Sequence, residues 1–255
     1  MTSYTVTATT TNNATFGGGL LQVDVLDNAL VAGSPAIGSS STAYNCSVTT
    51  TADGSLVFGS VANESADTAF TAEANCTILT NYSNTTNSCQ YASFMTTNTT
   101  TGTPGATTVG STTAYAGSYA VAAMEILSSG GTLSVDAASP AAVTSLTGTS
   151  FTTASFAPAA SSTVLVAMFA ITGNLSAGAS LCVATVSSTP SLTWTEQVKF
   201  NGNIVATGNC AYVGVWTAVV PAASTPGPAL FPQFTGAVPV TVASRAGWRG
   251  AQHSR

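Results

Sequence analysis

Apolar and polar residues alternate along much of this chain, a period of two that is typical of β-strands with one buried face. Glu196 interrupts the apolar side of one such segment, so we predict a β-bulge that turns its carboxylate away from the core. Two runs, 119–127 and 164–172, are apolar on both sides apart from Glu125 and are predicted to be central strands. The alternating segments predicted to be strands are 4–9, 21–25, 44–50, 151–157 and 192–200.

Two stretches of the chain are similar to each other, which suggests a structural unit that is used twice. Residues 87–96 and 209–217 each contain Cys-x-Tyr, then an aromatic residue, and a Thr seven positions after the cysteine. We expect Cys and Tyr to share one face of a strand and the aromatic residue to lie on the other. An apolar run opened by small polar residues precedes each stretch, at 54–58 and 162–166.

The fold class that these patterns predict is all-β, an antiparallel β-sandwich or jelly roll with almost no helix. Short strands between Gly, Asn and Pro turns favour it, and β-branched residues are frequent throughout. The chain is long enough for one large sandwich or for two in tandem. The expected divisions are a β-sandwich unit at 1–130, a linker at 131–150, a second β unit, complete or not, at 151–220, and a Pro-rich tail with a basic end at 221–255.

The composition indicates an almost uncharged surface. Charged residues make up only 5% of the 255, whereas apolar residues make up an ordinary 45%. Ser, Thr, Asn and Gly take the place of the charges, so the surface must be neutral and rich in hydroxyl groups. Such a surface suits a protein that is packed into an assembly or coated with sugar. Four Lys and Arg residues are too few for ordinary nucleic-acid binding, which depends on neutralising phosphates.

The distribution of apolar residues also bears on where the protein acts. The longest apolar runs are eight or nine residues, too short for a transmembrane helix. Residues 1–11 have neither a positive start nor an apolar stretch, so we expect no signal peptide in this chain. We therefore expect the protein in a virion or outside the cell, in the second case as part of a longer secreted chain.

No arrangement of residues that performs catalysis, holds a cofactor or binds a metal is recognisable, and we expect a non-enzymatic protein. The one histidine, His253, is third from the C-terminus and is a poor general base. The nine acidic residues are scattered, and neither Cys-x-x-Cys nor a phosphate-binding Gly-rich loop with Lys is present. Lys199, the one lysine, falls on a polar strand face and is expected to be solvated.

The five cysteines leave two interpretations open. Each repeated stretch is associated with two of them, so Cys76–Cys89 and Cys182–Cys210 are possible disulfides, with Cys46 left over. Alternatively, all five are small buried thiols. The redox compartment would decide between these, and the sequence does not identify it.

Aromatic and asparagine side chains are candidates for ligand and glycan sites. An aromatic residue can stack on a sugar, although the one or two Trp of a sandwich more often belong to the core. Sequons cluster in the polar segment 63–98, although a Ser- and Thr-rich chain also produces them by chance. The stacking candidates are Trp194, Trp216, Tyr91 and Tyr212, and the glycosylation candidates are Asn63, Asn75, Asn81, Asn84 and Asn98.

Three segments resemble strands of the Ser/Thr/Gly-rich β-sandwich modules of phage structural proteins and bacterial surface proteins. They are Leu-Thr-Trp-Thr at 192–195, Tyr-Val-Gly-Val-Trp-Thr-Ala at 212–218, and Ser-Tyr-Ala-Val-Ala-Ala-Met-Glu-Ile at 118–126. The resemblance implies structural modules without catalytic residues. It also implies that the first 130 residues correspond to the back half of one module and residues 150–220 to the front half of another.

These observations lead us to expect a structural protein, a repeated building block of a virion or of an extracellular surface layer or fibre. Its partners would be copies of itself or other structural subunits, with a glycan as a further partner. The alternative is a carbohydrate- or receptor-binding adhesion module. We also predict that residues 221–255 lie outside the compact core and that Val238–Val242 docks on a sheet edge, its own or a neighbour's; the other interpretations are a disordered tail or a truncated module.

Overall fold

A computed structural model describes residues 2–10, 15–31, 33–38, 43–63, 69–86, 88–97, 104–114, 119–146, 148–159, 162–174, 184–204 and 209–221. Every regular element in these residues is a β-strand, strands make up 70% of them, and all pairings are antiparallel. This confirms the all-β fold class that the alternation predicts. The described residues contain no helix that is long and apolar enough to cross a membrane. They belong to one compact unit, Met1–Ala223.

Sheet A is one of two large sheets, and it combines strands from distant parts of the chain. In order across the sheet, its strands are β11 (Ser134–Val135) and β12 (Val143–Ser145), then β2 (Thr15–Asp27), β14 (Ser162–Asn174), β17 (Asn209–Val219) and β16 (Trp194–Ile204). The central strand β14 is the predicted strand at 164–172. β2 precedes the rest of the sheet by more than a hundred residues, which makes sheet A a long-range assembly.

Sheet B has a similar arrangement built from a continuous part of the chain. In order across the sheet, its strands are β3 (Ala29–Leu30) and β4 (Pro35–Gly38), then β10 (Tyr119–Ser128), β6 (Leu56–Asn63), β8 (Cys89–Thr96) and β7 (Cys76–Asn84). The edge strand β7 lies in a Ser-, Thr- and Asn-rich segment for which the sequence predicted no strand. Its polar composition is compatible with an edge, because much of one face is exposed to solvent.

Two small sheets cover the outer faces of the large ones. Sheet C consists of β13 (Ser150–Thr152), β1 (Thr5–Thr10) and β15 (Ala184–Thr189) and packs on sheet A. Sheet D consists of β5 (Ala43–Thr49) and β9 (Ala106–Ala114) and packs on sheet B. The four sheets therefore stack in the order C, A, B, D.

Sheets A and B are buried on both faces because each lies between two other sheets. In β14, Phe169 points to sheet C and contacts the ring of Phe151 at 5.2 Å between centroids, whereas Met168 points to sheet B. In β10, Val121 packs toward sheet D and Ala122 toward sheet A. This double burial explains why the two predicted central strands are apolar on both sides.

The strand order of sheet A repeats that of sheet B. The strands β10, β6, β8 and β7 occupy the same positions in sheet B as β2, β14, β17 and β16 in sheet A. Across the interface, β2 lies over β8 and β7, and β17 lies over β6 and β10, as a two-fold relation between the sheets requires. The chain order differs, since β10 follows β8 whereas β2 precedes β14.

Both corresponding edge strands carry an irregularity at a similar place. The pairing of β16 with β17 shifts between Glu196 and Val198, which confirms the bulge predicted at Glu196. The pairing of β7 with β8 shifts between Ile78 and Thr80.

Glu196 is exposed at the bulge and pairs with Lys199 at 2.8 Å. The predicted reorientation of Glu196 is wrong, however, because Glu196 stays on the face of Trp194 and contacts the Tyr212 hydroxyl on the sheet C side. The bulge instead turns Val198 and Phe200 to the face that packs on sheet B.

The two Cys-x-Tyr stretches do not present the same faces, which corrects one expectation. In β8, Tyr91 faces sheet A and Phe94 faces sheet D, as predicted. In β17, Tyr212 and Trp216 both face sheet C. The aromatic residue comes one position later in the second stretch, and strand faces alternate at every position. The strand arrangement is thus duplicated, but the side-chain faces are not.

Strands from both sides of the expected linker share one sheet. β11 and β12 lie within 131–150 and pair with β2, and β2 pairs along its length with β14. The structure thus joins the expected units 1–130 and 151–220 through the hydrogen bonds of sheet A. The tail from residue 222 onward, with Val238–Val242, lies outside the described residues, and its docking stays a prediction.

Glu125 is a buried carboxylate on β10 that holds two loops. Its side chain is inaccessible to solvent and accepts hydrogen bonds from the backbone of Thr51 at 2.8 Å and of Ala52 and Ser34 at 3.3 Å. Burial acts to raise the pKa of Glu125, but these hydrogen bonds outweigh it and lower the pKa. The loop that contains Gly33 and Ser34 approaches β10 so closely that a β-carbon on Gly33 would lie 2.0 Å from the Glu125 carbonyl oxygen.

We expect Glu125→Gln to destabilise the protein by about 3 kcal/mol at pH 7, because an amide presents only one acceptor oxygen to several N–H donors. A carboxyl whose pKa is lowered by folding stabilises the protein at pH values above its ordinary pKa of 4.5. This stabilisation is lost as the pH falls from 4.5 through the lowered pKa of the folded state. Denaturant unfolding from pH 3 to pH 7 measures both effects.

The matched control is Glu196→Gln, which changes a carboxylate that pairs with Lys199 and accepts a hydrogen bond from the Tyr212 hydroxyl. The amide oxygen of Gln can keep the Tyr212 hydrogen bond, so the substitution should cost less than about 1 kcal/mol. Equal effects of the two substitutions would contradict the loop-holding role of Glu125.

Candidate functional site

The aromatic residues considered as sugar-stacking candidates lie mostly inside the protein. Tyr91 and Tyr212 are buried, and Trp216 is only 3% exposed. Trp194 is half-buried near one end of β16 and packs against the core between sheets A and C. Stacking on a ligand requires an accessible ring face, so Trp194 is the one of the four with exposed surface to offer.

Tyr91 connects the two large sheets. Its hydroxyl, on β8 of sheet B, forms a hydrogen bond with the hydroxyl of Thr172 on β14 of sheet A. Burial raises the pKa of Tyr91 well above its ordinary value, so the phenol remains neutral at physiological pH. Tyr82 from the edge strand β7 stacks on it with centroids 6.1 Å apart. These contacts give Tyr91 a structural role between the sheets.

Tyr212 and Trp216 form a similar buried cluster on the other side of sheet A. Their rings stack with centroids 5.8 Å apart and planes inclined by 28°. The Tyr212 hydroxyl donates to Glu196 Oε2 at 3.3 Å, and burial, together with the nearby charge of Glu196, raises the pKa of Tyr212. Lys199, which pairs with the same carboxylate, is largely exposed, as its position on a polar face predicts.

The structure overturns the predicted disulfide between Cys76 and Cys89. Neither is in a disulfide, and they pair with Thr96 and Asn84 at opposite ends of the β7–β8 ladder. At about 3.4 Å per residue this places them roughly 20 Å or more apart, far beyond disulfide distance. Cys182 lies outside the described residues, as does the side chain of Cys210, so their pairing stays a prediction.

Cys46 lies in the core between sheets B and D, as does Cys76. Burial, with a smaller effect from the nearby Cys76, raises the pKa of Cys46 to about 12. A thiol with so high a pKa is almost entirely protonated at neutral pH and is a poor nucleophile. Cys46, Cys76 and Cys89 are all buried, in accordance with the interpretation of cysteines as small apolar residues.

The candidate glycosylation sites divide by exposure. Asn63 is 1% exposed and Asn84 is fully buried, so the folded protein has no room for a glycan at either. Asn75 and Asn81 are exposed, in the loop before β7 and in β7 itself. Asn98 lies outside the described residues. Among the candidates in the described residues, Asn75 and Asn81 are therefore the positions that can accommodate a glycan on the folded protein.

A surface groove of about 410 Å³ lies near the beginning of β16. It combines apolar side chains with four hydroxyl groups, and none of its described lining residues is charged. Its lining residues are Val31, Ser191, Leu192, Thr193, Thr195, Thr217, Val219 and Pro221. The hydroxyl groups are the side-chain groups available to orient a ligand there, since the lining contains no carboxylate or amide side chain.

A polar contact is enclosed between sheets A and B. Gln22 Nε2 donates to Asp24 Oδ1 at 2.8 Å, and Thr80 Oγ1 of β7 donates to Gln22 Oε1 at 2.9 Å. The other oxygen of Asp24, Oδ2, is buried without a hydrogen-bond partner among the described residues. Burial raises the pKa of Asp24 to about 6, against a smaller opposing effect of the Gln22 hydrogen bond. The alternation in 21–25 predicts that Gln22 and Asp24 lie on a polar strand face. In the structure, sheet B covers that face.

Chemically active side chains are not gathered into one place in the described part of the chain. No group of three or more His, Cys, Asp or Glu residues in this part is close enough to hold a metal ion. Asp136 accepts backbone hydrogen bonds from Ala138 at 2.8 Å and Ala159 at 2.9 Å, so it orders a loop. His253 lies outside the described residues.

Comparison of the chain with protein-family models, with curated proteins and with solved structures finds no match. Its function has to be argued from the fold, the surface and the groups that the fold brings together.

We expect Asp24→Asn to stabilise the protein at pH 7 by about 1–2 kcal/mol. The ionised carboxylate costs about 3 kcal/mol, since the pKa rises from 3.8 to about 6, but the new amide N–H bonds remain unsatisfied. A carboxyl with a raised pKa binds its proton more tightly in the folded state, so stability falls as pH rises from about 4 to 6. Denaturant unfolding across this range should show this slope in the wild type and not in the variant.

Asp53→Asn, in an exposed turn, is the matched control and should leave the slope intact. An unchanged slope in Asp24→Asn would show that Asp24 is not the titrating group.

Proposed function

We propose that this protein is a non-enzymatic structural protein, a repeated building block of a virion or of an extracellular surface layer or fibre. The observation that carries the proposal is the shortage of charge, nine acidic and four basic residues in 255. A surface with so little charge provides weak repulsion between copies and suits close packing in an assembly.

The positions of the charged residues reduce the surface charge further. Asp24 and Glu125 are buried between or beneath sheets, and Glu196 is paired with Lys199. The outward faces of sheets C and D are formed largely by Thr and Ser, as at Thr7, Thr152, Ser47 and Thr108. Hydroxyl groups of this kind can bond to a neighbouring subunit without the desolvation cost of a charge.

The second candidate is a carbohydrate- or receptor-binding adhesion module. The hydroxyl-lined groove beside β16 supports it. Trp194 is half-buried on the same strand and does not line the groove. Burial of Tyr91, Tyr212 and Trp216 removes the other stacking candidates. Glycan-array binding that is lost in Thr195→Arg, which fills the groove, would favour this function over the structural one.

We expect the purified protein to form species larger than the 25.2 kDa monomer at high concentration. Because few charges face a neighbour, the extent of association should differ little between low and high salt. Sedimentation velocity over a concentration series at two ionic strengths measures both quantities, with electron microscopy of the largest species. A monodisperse monomer at every concentration would contradict the proposed function.

We expect deletion of residues 225–255 to leave the described sheets folded, because all described strands lie in the compact unit Met1–Ala223, which the deletion spares. The deleted segment contains Val238–Val242 and three arginines, Arg245, Arg249 and Arg255, and is proposed to dock on a sheet edge. Near-ultraviolet circular dichroism checks folding, and sedimentation velocity checks association. Loss of oligomers with intact folding would support docking between subunits, whereas unchanged association would contradict it.

A further inference from the structure

Sheets A and C are completed by strands that come from another part of the chain. In the sheet B half, β8 is followed by β9 and β10, which complete sheets D and B. The corresponding places in sheets C and A are filled by β1 and β2, which are separated from β13–β17 by all of β3–β10. The pair β1–β2 is therefore covalently connected to the rest of its own sheets only through the opposite half of the protein.

The connection between β2 and the opposite half is very short. A single residue, Asn28, joins β2 in sheet A to β3 in sheet B. Its φ is 54°, in the left-handed region that few residues with a β-carbon adopt and that asparagine tolerates better than most. The conformation is held by hydrogen bonds from Asn28 Nδ2 to the Thr132 carbonyl at 3.0 Å and from the Ser129 N–H to the Asn28 carbonyl at 2.8 Å. A hinge of one residue between two sheets is very short, and short hinges favour the exchange of strands between copies.

We propose that β1–β2 is an exchangeable segment, and that in the assembled protein it fills its position beside β13, β14 and β15 of a second copy of this chain. The inference rests on the proposed function, because it needs copies that assemble. The pairing of β2 with β14, β11 and β12 and of β1 with β13 and β15 is then formed between chains with the same registers. Only the hinge at Asn28 has to change.

A second copy fits this position because the position is shaped for β2 on both faces. Leu21, Val23 and Val25 pack into the core with sheet C, and Leu20 and Leu26 pack toward sheet B. A copy that donates β1–β2 exposes these two apolar surfaces unless it receives the same strands from a neighbour. Each copy must therefore both give and receive, which links copies into a closed ring; in an open chain the two end copies keep one of these surfaces exposed.

The test uses the full chain with Thr7→Cys and Thr152→Cys, one on β1 and one on β13. The two residues face each other across the strands, with their hydroxyl oxygens 2.9 Å apart at an exposed position. Pools with natural and heavy nitrogen isotopes are mixed in denaturant under reducing conditions, refolded at high concentration and oxidised. Mass spectrometry then identifies the peptides joined between positions 7 and 152. With exchange, about half of the joined pairs should carry one label from each pool, as random partners require.

The matched control is Ser47→Cys with Thr108→Cys, an exposed pair on β5 and β9. Both strands lie on the same side of the hinge, so their joined pairs should come from one pool only. Thr7→Cys with Ser187→Cys, a register pair of β1 and β15, repeats the test if the first variant folds poorly. Mixed pairs at the same level in the control would overturn the proposal, because pairing would then not depend on β1.

The outcomes separate this inference from the proposed function. If oligomers form but positions 7 and 152 are joined only within one pool, the exchange is wrong and the proposed structural function is still supported. Monomers with single-pool pairs overturn both.

Two hinge variants provide a second measure of exchange. Asn28→Gly tolerates a positive φ and should lower the share of mixed pairs at a given protein concentration. Asn28→Pro cannot adopt the closed hinge and should raise that share. The opposite order of the two variants would contradict a hinge at Asn28.

Discussion

The structure depends on the burial of both faces of two large sheets. A sheet covered on one side can present polar residues to water on the other, but sheets A and B each lie between two further sheets. This constraint makes β14 and β10 apolar at almost every position, and it places residues such as Gln22 and Asp24 in the interior, where they need partners. It also leaves the small sheets C and D, with their Thr and Ser faces, to form much of the outer surface.

Polar groups that are enclosed between sheets A and B form hydrogen bonds from one sheet to the other. Tyr91 and Thr172 bond sheet B to sheet A, and Thr80 bonds Gln22 across the same interface. Glu125 instead fixes loops at the end of sheet B through their backbone N–H groups. Hydrogen bonds of this kind are directional, whereas apolar burial is not, so they help to set how the sheets align.

The duplicated strand arrangement connects the fold to the proposed role in an assembly. The two halves share a strand order and an irregular edge strand, but one half is closed by its own later strands and the other by earlier ones. A unit that is closed by strands from elsewhere in the chain has the same geometry as one closed by strands from a neighbour. In this chain only Asn28 separates β2 in sheet A from β3 in sheet B, so one residue controls whether β1–β2 fills its own sheets or those of a neighbour.

The sequence by itself determined the strands and their class, because a period of two records which side of a strand is buried. It placed β10 and β14 inside their sheets, with partners on both sides, and the bulge at Glu196, since each depends on local composition. The edge strand β7, the interior position of Asp24 and the separation of Cys76 from Cys89 were decided only by the tertiary structure. Each depends on which strand lies opposite, and sheet neighbours more than a hundred residues apart, such as β2 and β14, leave no trace in local alternation.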